Sequence, residues 1–200
     1  MKILMIADLH GHLPELPEVD LVLVAGDILP NQSSRQKKWF RNEFIPWMDK
    51  QKQVFFIAGN HDYHFVRKFS HPNYIRNKTV EYNGLKIYGS PWVLGLWDMP
   101  FGTTDNRIQL ELENLPNDID FFMTHGPPKG HADLMITGER VGSNSVLEAI
   151  FDKNPKYVIT GHVHEAWGNY QIGNTELISC SYLDHDYQVH NLPFCIKELP

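Results

Sequence analysis

Five short motifs carry side chains that bind metals or transfer protons, and they are spread over most of the chain. Carboxylate, imidazole and amide groups recur in them, without the thiolates of a structural zinc site or the oxygen-only ligands of a calcium site. This mixture of donors suits Mn²⁺, Fe²⁺ or Zn²⁺. The candidate residues are Asp8, His10, Asp27, Asn60, His61, His125, His162 and His164.

These donors are too many for one ion and sufficient for two. Two ions about 4 Å apart need a group that touches both, and a carboxylate has two oxygens for this purpose. Asp27 is the candidate for the shared ligand, because it stands alone after Gly26 whereas the other donors have companions nearby. A pair of ions lowers the pKa of a shared water molecule and binds the non-bridging oxygens of a phosphate. The motifs therefore predict the hydrolysis of a phosphate ester.

Short apolar runs position these motifs, and each run is typical of a buried β-strand. Every run stops at one motif, where the end of a sheet gives a ligand access. Because Pro14 and Pro17 lie between the first two runs, no full crossover helix fits there. The sequence leaves open an unusually tight crossover or a strand lying between the two. The runs are residues 2–7, 19–25, 54–58, 119–124 and 157–160.

The remaining elements complete an alternating α/β pattern. Residues 35–50 predict a helix whose aromatic side faces the core, with a kink or an early end at Pro46. The dipeptide Asn83-Gly84 predicts a hairpin. A later helix, capped by Ser143 or Asn144, is expected to direct its apolar side inwards: Val146, Leu147, Ile150 and Phe151. Strands are expected in the tail around residues 170–172, 176–180, 187–189 and 194–197.

Composition places the chain among ordinary globular proteins. Its 200 residues predict one domain over 1–200, and eleven histidines favour metal chemistry. The formal net charge of −6 argues against a broad basic face, so long nucleic acid is not an expected partner. Cys180 and Cys195 lack CxxC spacing and are expected to be reduced core thiols. The sequence shows neither a secretory segment nor a transmembrane run, which predicts a cytoplasmic protein without a membrane partner. The sequence does not indicate an oligomeric state.

The order of the motifs resembles the calcineurin-like metallophosphoesterases. Asp-Leu-His, Gly-Asp, Gly-Asn-His-Asp, His-Gly and Gly-His-Val-His follow one another as in that family. Residues 88–92, 124–128 and 161–168, together with the short first connection, resemble its compact, capless subgroup, which includes the vertebrate brain metallophosphoesterase-domain proteins. The resemblance implies an α/β fold in four layers, an αββα sandwich of two mixed β-sheets flanked by helices.

The resemblance also implies a role for each motif residue. His61 would be the general acid for the leaving oxygen, Asp62 would orient the His61 ring, and a metal-bridging hydroxide would attack phosphorus in line. Leu9, between Asp8 and His10, departs conservatively from the commonest form of the first motif. The ligands implied are Asp8, His10, Asp27 and His164 for one divalent ion, and Asp27, Asn60, His125 and His162 for the other. Mn²⁺ is the expected metal, with Fe, Zn, Ni or Co as alternatives.

The expected function is that of a binuclear metal-dependent phosphoesterase, a phosphodiesterase or phosphatase acting on a small phosphate ester, with nucleotides among the candidates. The residues expected to contact substrate are Asn60, His12, Lys129 and His131. One alternative is a catalytically weak scaffold that binds a partner protein on the same fold. Such scaffolds generally lose ligands, whereas this chain keeps all of them. A nuclease is a further alternative, which the acidic balance disfavours for long nucleic acid.

Overall fold

Two β-sheets packed face to face form the centre of the protein, and helices cover both outer faces. The computed structural model describes residues 1–66, 69–189 and 194–199. The strands are β1 Lys2–Ile6, β2 Leu21–Ala25, β3 Val54–Ile57, β4 Lys78–Tyr82, β5 Leu85–Ser90, β6 Val93–Leu94, β7 Gly102–Thr103, β8 Phe121–Thr124, β9 Tyr157–Thr160, β10 Gly168–Ile172, β11 Thr175–Ser179 and β12 Cys195–Glu198. The α-helices are α1 Ser33–Trp39, α2 Ile45–Met48, α3 Asp105–Leu112 and α4 Asn144–Lys153.

Both large sheets are mixed. The first has the order β12-β1-β2-β3, in which β1, β2 and β3 are parallel and β12 is antiparallel. The second has the order β10-β11-β9-β8-β5-β4, with four parallel central strands and an antiparallel strand at each edge. The short strands β6 and β7 form a separate parallel pair. Parallel neighbours place their carboxyl ends at one edge of each sheet.

The alternation of side chains along β1 explains the layers. Ile3 and Met5 point into the space between the sheets, where they share a cluster with Phe121 of β8. Leu4 and Ile6 point outwards and belong to the cluster that contains the aromatic residues of the first helical run. Because successive strand residues face opposite sides, this run of apolar residues is buried on both faces. The expected αββα sandwich of two mixed sheets is confirmed.

Helices α3 and α4 cover the outer face of the second sheet. Ile108 of α3 and Val146 of α4 share a buried cluster with Phe122 of β8. Ser143 caps α4 by accepting a hydrogen bond from the backbone N–H of Val146, at 3.1 Å. The expectation that Phe151 faces inwards is wrong, because its side chain is 63% exposed near the end of the helix.

The first connection is the tight crossover. Strands β1 and β2 are adjacent and parallel, although residues 7–20 between them contain no helix. Leu13 and Leu16 pack on the outer cluster, and the Trp47 indole donates a hydrogen bond to the carbonyl of Pro14, at 2.8 Å. These contacts close the connection over the sheet without a crossover helix.

The first helical run changes its winding before its proline. It begins at Ser33 and ends at Met48, with a π-helical turn over Phe40–Phe44 between α1 and α2. Pro46 lacks the N–H that a regular helix would use, and the wider turn immediately precedes it. The predicted hairpin forms β4 and β5, with Asn83 and Gly84 both at positive φ as a type I′ turn requires.

The strand expected at residues 187–189 does not form, because Val189 makes only an isolated bridge to Leu183. His190 lies outside the described residues. None of the helices in the described part of the chain combines the length and apolar character that a membrane span requires.

Candidate metal centre

The carboxyl ends of five strands bring the predicted motifs to one place. Asp8 follows β1, Asp27 follows β2, and His125 follows β8 of the other sheet; these three residues offer ligand atoms within 4.8 Å of one another. A second group with the same spacing consists of Asp8, His10 and His164. The two groups share Asp8, so they are neighbours on one centre.

Asp27 reaches both groups. Its Oδ2 lies 3.3 Å from His125 Nε2 and 3.7 Å from His10 Nε2. Its Oδ1 accepts the backbone N–H of His61, at 2.7 Å. This position suits a carboxylate shared by two ions, although Asp8 is the residue common to the two compact groups of donors.

Asn60 and His162 lie beside the first group, next to His125. Asn60 Oδ1 is 3.1 Å from His125 Nε2, and the ring of His162 lies 5.4 Å from that of His125. The backbone N–H of His162 donates to the Asp8 carboxylate at 3.1 Å, which ties the β9 motif to the β1 motif.

Three of the histidines present the same nitrogen to the centre. In each ring Nδ1–H donates to an oxygen: His10 to Asn31 Oδ1 at 2.8 Å, His125 to the carbonyl of Ala25 at 2.8 Å, and His164 to the carbonyl of Asp184 at 2.7 Å. Nε2 is then the ring nitrogen that faces the carboxylates and is available to a metal ion. Metal-binding histidines characteristically make this outer hydrogen bond, which fixes the tautomer.

Two observations show that these residues fit metal ions. Nε2 of His10 is buried and has no hydrogen-bond partner among the described residues, which is costly unless a ligand binds there. Glycines also line the centre: a Cβ on Gly26 would lie 2.5 Å from His125 Nδ1, and one on Gly161 would lie 2.5 Å from Asp8 Oδ2. The donors therefore converge because these positions lack side chains.

The backbone at the motifs is unusual. Asp8, His10, Asp27 and His162 have φ angles of 55°, 41°, 51° and 71°, in the left-handed region that non-glycine residues rarely adopt. Such residues persist only where the surrounding structure enforces them, and they cluster at functional sites. Each turn after a strand thus directs its carboxylate or imidazole towards the centre.

Burial and neighbouring charges shift the pKa values of the buried donors in different directions. Burial, together with the neighbouring His125, lowers the pKa of His162 to about 4, and burial also lowers the pKa of His10. Burial alone would raise the pKa of Asp27, but His125 and His10 hold it well below its ordinary value. Burial alone would lower the pKa of His125, whereas Asp27 raises it above its ordinary value. Metal binding at His125 would therefore release a proton.

His61 lies beside the donors. Its ring is half-buried, with its centroid 4.9 Å from that of His10, and neither of its ring nitrogens hydrogen-bonds to another described residue. Gln36 of α1, fully buried, fixes the backbone by donating to the carbonyl of His61 at 2.6 Å. The backbone of His61 is thus held, whereas no hydrogen bond to a described residue fixes its ring.

Asp62 does not contact the His61 ring, contrary to the expectation that it orients this ring. Its buried carboxylate instead accepts backbone N–H groups of Ile28 (3.0 Å), Leu29 (2.8 Å) and Gly59 (2.9 Å). Burial and the Asp27 charge raise the pKa of Asp62, and these three donors oppose the rise. The reason for the difference is the turn after β3, which directs the carboxylate towards the loop after β2. Asp62 thus ties the turn after β3, which carries His61, to the loop after β2.

The structure does not connect His12, Lys129 or His131 to the centre. His12 and Lys129 are exposed, His131 is half-buried, and none of these side chains makes a hydrogen bond or ion pair with another described residue. Their contact with substrate stays a prediction. Asn60, the fourth residue expected to contact substrate, lies within the centre beside His125.

Several residues that contact the centre lie outside the sequence motifs. Ser181 donates to Asp8 Oδ2 at 2.6 Å, and Met99 places its sulfur 3.7 Å from Asn60 Nδ2. The ring of Tyr187 lies 4.8 Å from that of His10. The sequence gives no sign of these contacts, because each of the three residues is distant along the chain from the motif residue that it contacts. Asn31 and Gln36 differ from these three residues, because they are polar residues that follow the Asp27 motif closely in the sequence. Their position in the sequence could have indicated that they lie near the centre.

Comparisons with known proteins agree with this geometry. Residues 1–166 match the family profile described as calcineurin-like phosphoesterase. A UPF0046 protein of Caenorhabditis elegans is 30% identical over 88% of this chain and 72% of its own length. Metallophosphoesterase domain-containing protein 1 of Homo sapiens is 27% identical over 98% of this chain and 70% of that protein. Another UPF0046 protein of Caenorhabditis elegans is 28% identical, and the chain spans only 56% of that protein's length.

Among solved structures, the protein TT1561 of Thermus thermophilus shares the fold. It superposes with a TM-score of 0.62 over 89% of this chain and 88% of its own, at 16% sequence identity. At this identity the likeness concerns the architecture alone.

Proposed function

Because the chain belongs to the calcineurin-like phosphoesterase family, we propose that it is a phosphohydrolase that uses two divalent metal ions, Mn²⁺ in the first place. The observation that carries the proposal is the set of histidine Nε2 atoms directed at two buried carboxylates, each imidazole held by an outer hydrogen bond. Imidazole and carboxylate donors of this kind bind Mn²⁺, Fe²⁺ or Zn²⁺.

Each ion would have its own ligands, with Asp27 shared. The compact group of Asp8, His10 and His164 supports one site. His125 and Asn60, with His162 beside them, support the other. When bound, two such ions would lower the pKa of a water molecule that attacks phosphorus and would neutralise the non-bridging oxygens of the ester.

His61 would supply the proton that the leaving group needs. As the phosphorus–oxygen bond breaks, a protonated ring nitrogen of His61 gives its proton to the departing oxygen and becomes neutral. The ring is half-buried beside His10, and Asp27 and Gln36 hold its backbone on both sides. The side chain is thus placed next to the donors without being held by them.

The substrate we propose is a small phosphodiester or phosphomonoester. The formal charge of −6 disfavours a long polyanion, for which a protein needs clustered basic residues. His12, Lys129 and His131 remain the candidates for contacts with the phosphate.

A panel of phosphate esters with several divalent ions tests the proposal. We expect the Mn²⁺-loaded protein to hydrolyse an aryl phosphodiester or monoester. Asp27→Asn should abolish metal binding and turnover, because it removes the charge shared by the two sites. His61→Ala should keep the metal and lower kcat by about 10²- to 10⁴-fold, the usual contribution of a general acid.

Asp152→Asn is the control, since Asp152 is exposed on α4, where its carboxylate pairs with the neighbouring Lys153. It should match the wild type in metal content and rate. Ordinary turnover by Asp27→Asn or His61→Ala would contradict the assigned roles. A wild-type protein that binds no Mn²⁺ and hydrolyses no ester would favour a partner-binding scaffold instead.

A further inference from the structure

Tyr187 lies against the candidate metal centre, and the proposed chemistry gives it no role. Its ring centroid is 4.8 Å from that of His10 and 5.3 Å from that of His164, and both pairs are close to perpendicular. The residue is 37% exposed, so the ring covers the two imidazoles on one side and meets solvent on another. Anything that binds beside His10 and His164 therefore meets this ring.

The segment that carries Tyr187 is held by the residue that orients His164. The carbonyl of Asp184 accepts His164 Nδ1–H and the backbone N–H of Tyr187, at 2.7 and 3.0 Å. Its carboxylate accepts the N–H groups of Asp186 and Gln188, both at 2.9 Å. The ring and the imidazole are thus positioned together, and the ring is preorganised for a ligand.

The backbone of Tyr187 gives a second reason to look at its side chain. Its φ angle is 60°, in the left-handed region, where glycine is the least strained residue. The turn itself therefore does not explain why a tyrosine stands at this position.

The other group of donors also has an apolar flank. Met99 places its sulfur 3.7 Å from Asn60 Nδ2, and Asn60 in turn contacts His125. A thioether and a phenol ring both pack well against aromatic groups. Tyr187 and Met99 thus flank the two groups of donors, Tyr187 beside His10 and His164 and Met99 beside Asn60.

We propose that Tyr187 is a specificity-determining residue, whose ring packs against the organic group of the phosphate ester, and that the site favours esters of aromatic or heteroaromatic groups. The inference rests on the proposed function, since the phosphate is taken to bind at the metal donors. The ring rather than the hydroxyl makes the contact, because two imidazoles fix the ring. The hydroxyl makes no hydrogen bond to another described residue.

Binding of two phosphonates to the Mn²⁺-loaded full chain tests this proposal by calorimetry. Phenylphosphonate and methylphosphonate differ only in the group that would meet Tyr187, and neither is hydrolysed. The wild type should bind phenylphosphonate more tightly. Tyr187→Ala should weaken phenylphosphonate binding about tenfold, a usual effect of losing an aromatic contact, and methylphosphonate binding less than about twofold.

Two variants serve as controls. Tyr187→Phe keeps the ring and should bind both phosphonates within about twofold of the wild type, as expected for an aromatic contact without a hydrogen bond. Phe151→Ala removes an aromatic ring that is 63% exposed on α4, and it should change neither affinity. Manganese content and melting temperature are measured for each protein, so that a loss of metal or of folding is recognised.

Equal weakening of both phosphonates in Tyr187→Ala, an unchanged affinity in that variant, or a Phe variant as weak as the Ala variant would each overturn the inference. A measurement of ester hydrolysis distinguishes a failure of this inference from a failure of the proposed function. A wild type that binds phenylphosphonate through Tyr187 but hydrolyses no ester supports the inference and contradicts the hydrolase. A wild type that hydrolyses esters while Tyr187→Ala binds both probes unchanged contradicts the inference alone.

Discussion

At the scale of single residues, the centre depends on glycines, which have no side chain, as much as on the donor residues. A Cβ added to Gly59 would overlap Asp27 Oδ1 and His125 Nε2, at distances that real Cβ atoms do not show. Its partners are a shared carboxylate and a buried imidazole, neither of which can move without leaving the centre. The glycine of the third motif is therefore as necessary as the asparagine and histidine that follow it.

Gly59→Ala tests this requirement. We expect it to lower the Mn²⁺ affinity by at least about tenfold, the usual cost of displacing a ligand or its support. Titration calorimetry with Mn²⁺ measures the effect. Gly138→Ala is the matched control: it adds a methyl group in open space at a φ of 87°, so it should cost about 1 kcal/mol of stability and leave metal affinity unchanged. Equal affinities in the two variants would refute the steric argument.

At the scale of elements, two loops are joined by one carboxylate. Asp62 follows β3 and binds the backbone of Ile28 and Leu29, which follow β2. Both loops carry donors of the centre. The hydrogen bonds of Asp62 therefore set the separation of two strand ends, beyond the distance fixed by the ladder between β2 and β3.

Asp62→Ala should destabilise the protein by about 1–3 kcal/mol, because it leaves buried N–H groups without an acceptor. Urea unfolding measures the change. Asp118→Ala, at an exposed carboxylate paired with Lys86, should change stability by less than about 1 kcal/mol. If Asp62→Ala unfolds at the wild-type urea concentration, the carboxylate does not hold the two loops together.

The caps of α3 and α4 differ in their surroundings, and this difference is measurable. Ser143 accepts the N–H of Val146 and also donates to Asp105, whereas Thr104 accepts the N–H of Arg107 at an exposed site. Ser143→Ala should therefore cost about 1–2 kcal/mol and Thr104→Ala about 0.5–1 kcal/mol. Thermal or urea unfolding of both variants gives the order, and the reverse order would show that the Asp105 contact adds nothing.

At the scale of the whole molecule, the centre joins the two sheets. Its donors follow β1, β2 and β3 of one sheet and β8 and β9 of the other, so ions bound there bridge both layers. A ligand that binds only the folded protein stabilises it according to its concentration and affinity.

Mn²⁺ at about 100 times its dissociation constant should stabilise the protein by about 2.7 kcal/mol, and a chelator should reverse the gain. The melting temperature with and without Mn²⁺ measures this. Asp27→Asn should show no such shift, whereas Asp152→Asn should shift as the wild type does. A Mn²⁺ shift of the same size in Asp27→Asn would place the stabilising ion elsewhere.

The reactivity of the two cysteines depends on how deeply the folded molecule buries them. Burial raises the pKa of Cys195 to about 11 and that of the fully buried Cys180 well above its ordinary value. Alkylation needs the thiolate, so at pH 8 Cys195 should react about two orders of magnitude more slowly than a free thiol, and faster as the pH rises towards 11. Mass spectrometry after iodoacetamide treatment measures both sites. Rapid labelling of Cys180 in the folded protein would contradict its burial.

Most of the fold was accessible from the chain because apolar runs and turn residues act locally. The runs ending at Asp8, Asp27, Asn60, His125 and His162 are strands, and Asn83-Gly84 makes the hairpin. The inward Phe151 and the strand at 187–189 were wrong. Periodicity alone does not say where a helix loses its neighbours, or whether an apolar segment finds a partner strand.

The sequence by itself determined which side chains gather at the sheet edge, because each one follows a strand and parallel strands end together. Only the tertiary structure decided how they are held. The outer hydrogen bonds of His10 and His164 come from Asn31 and Asp184, and Tyr187 covers both rings. These contacts join distant segments through backbone turns at positive φ, and no spacing along the chain encodes them.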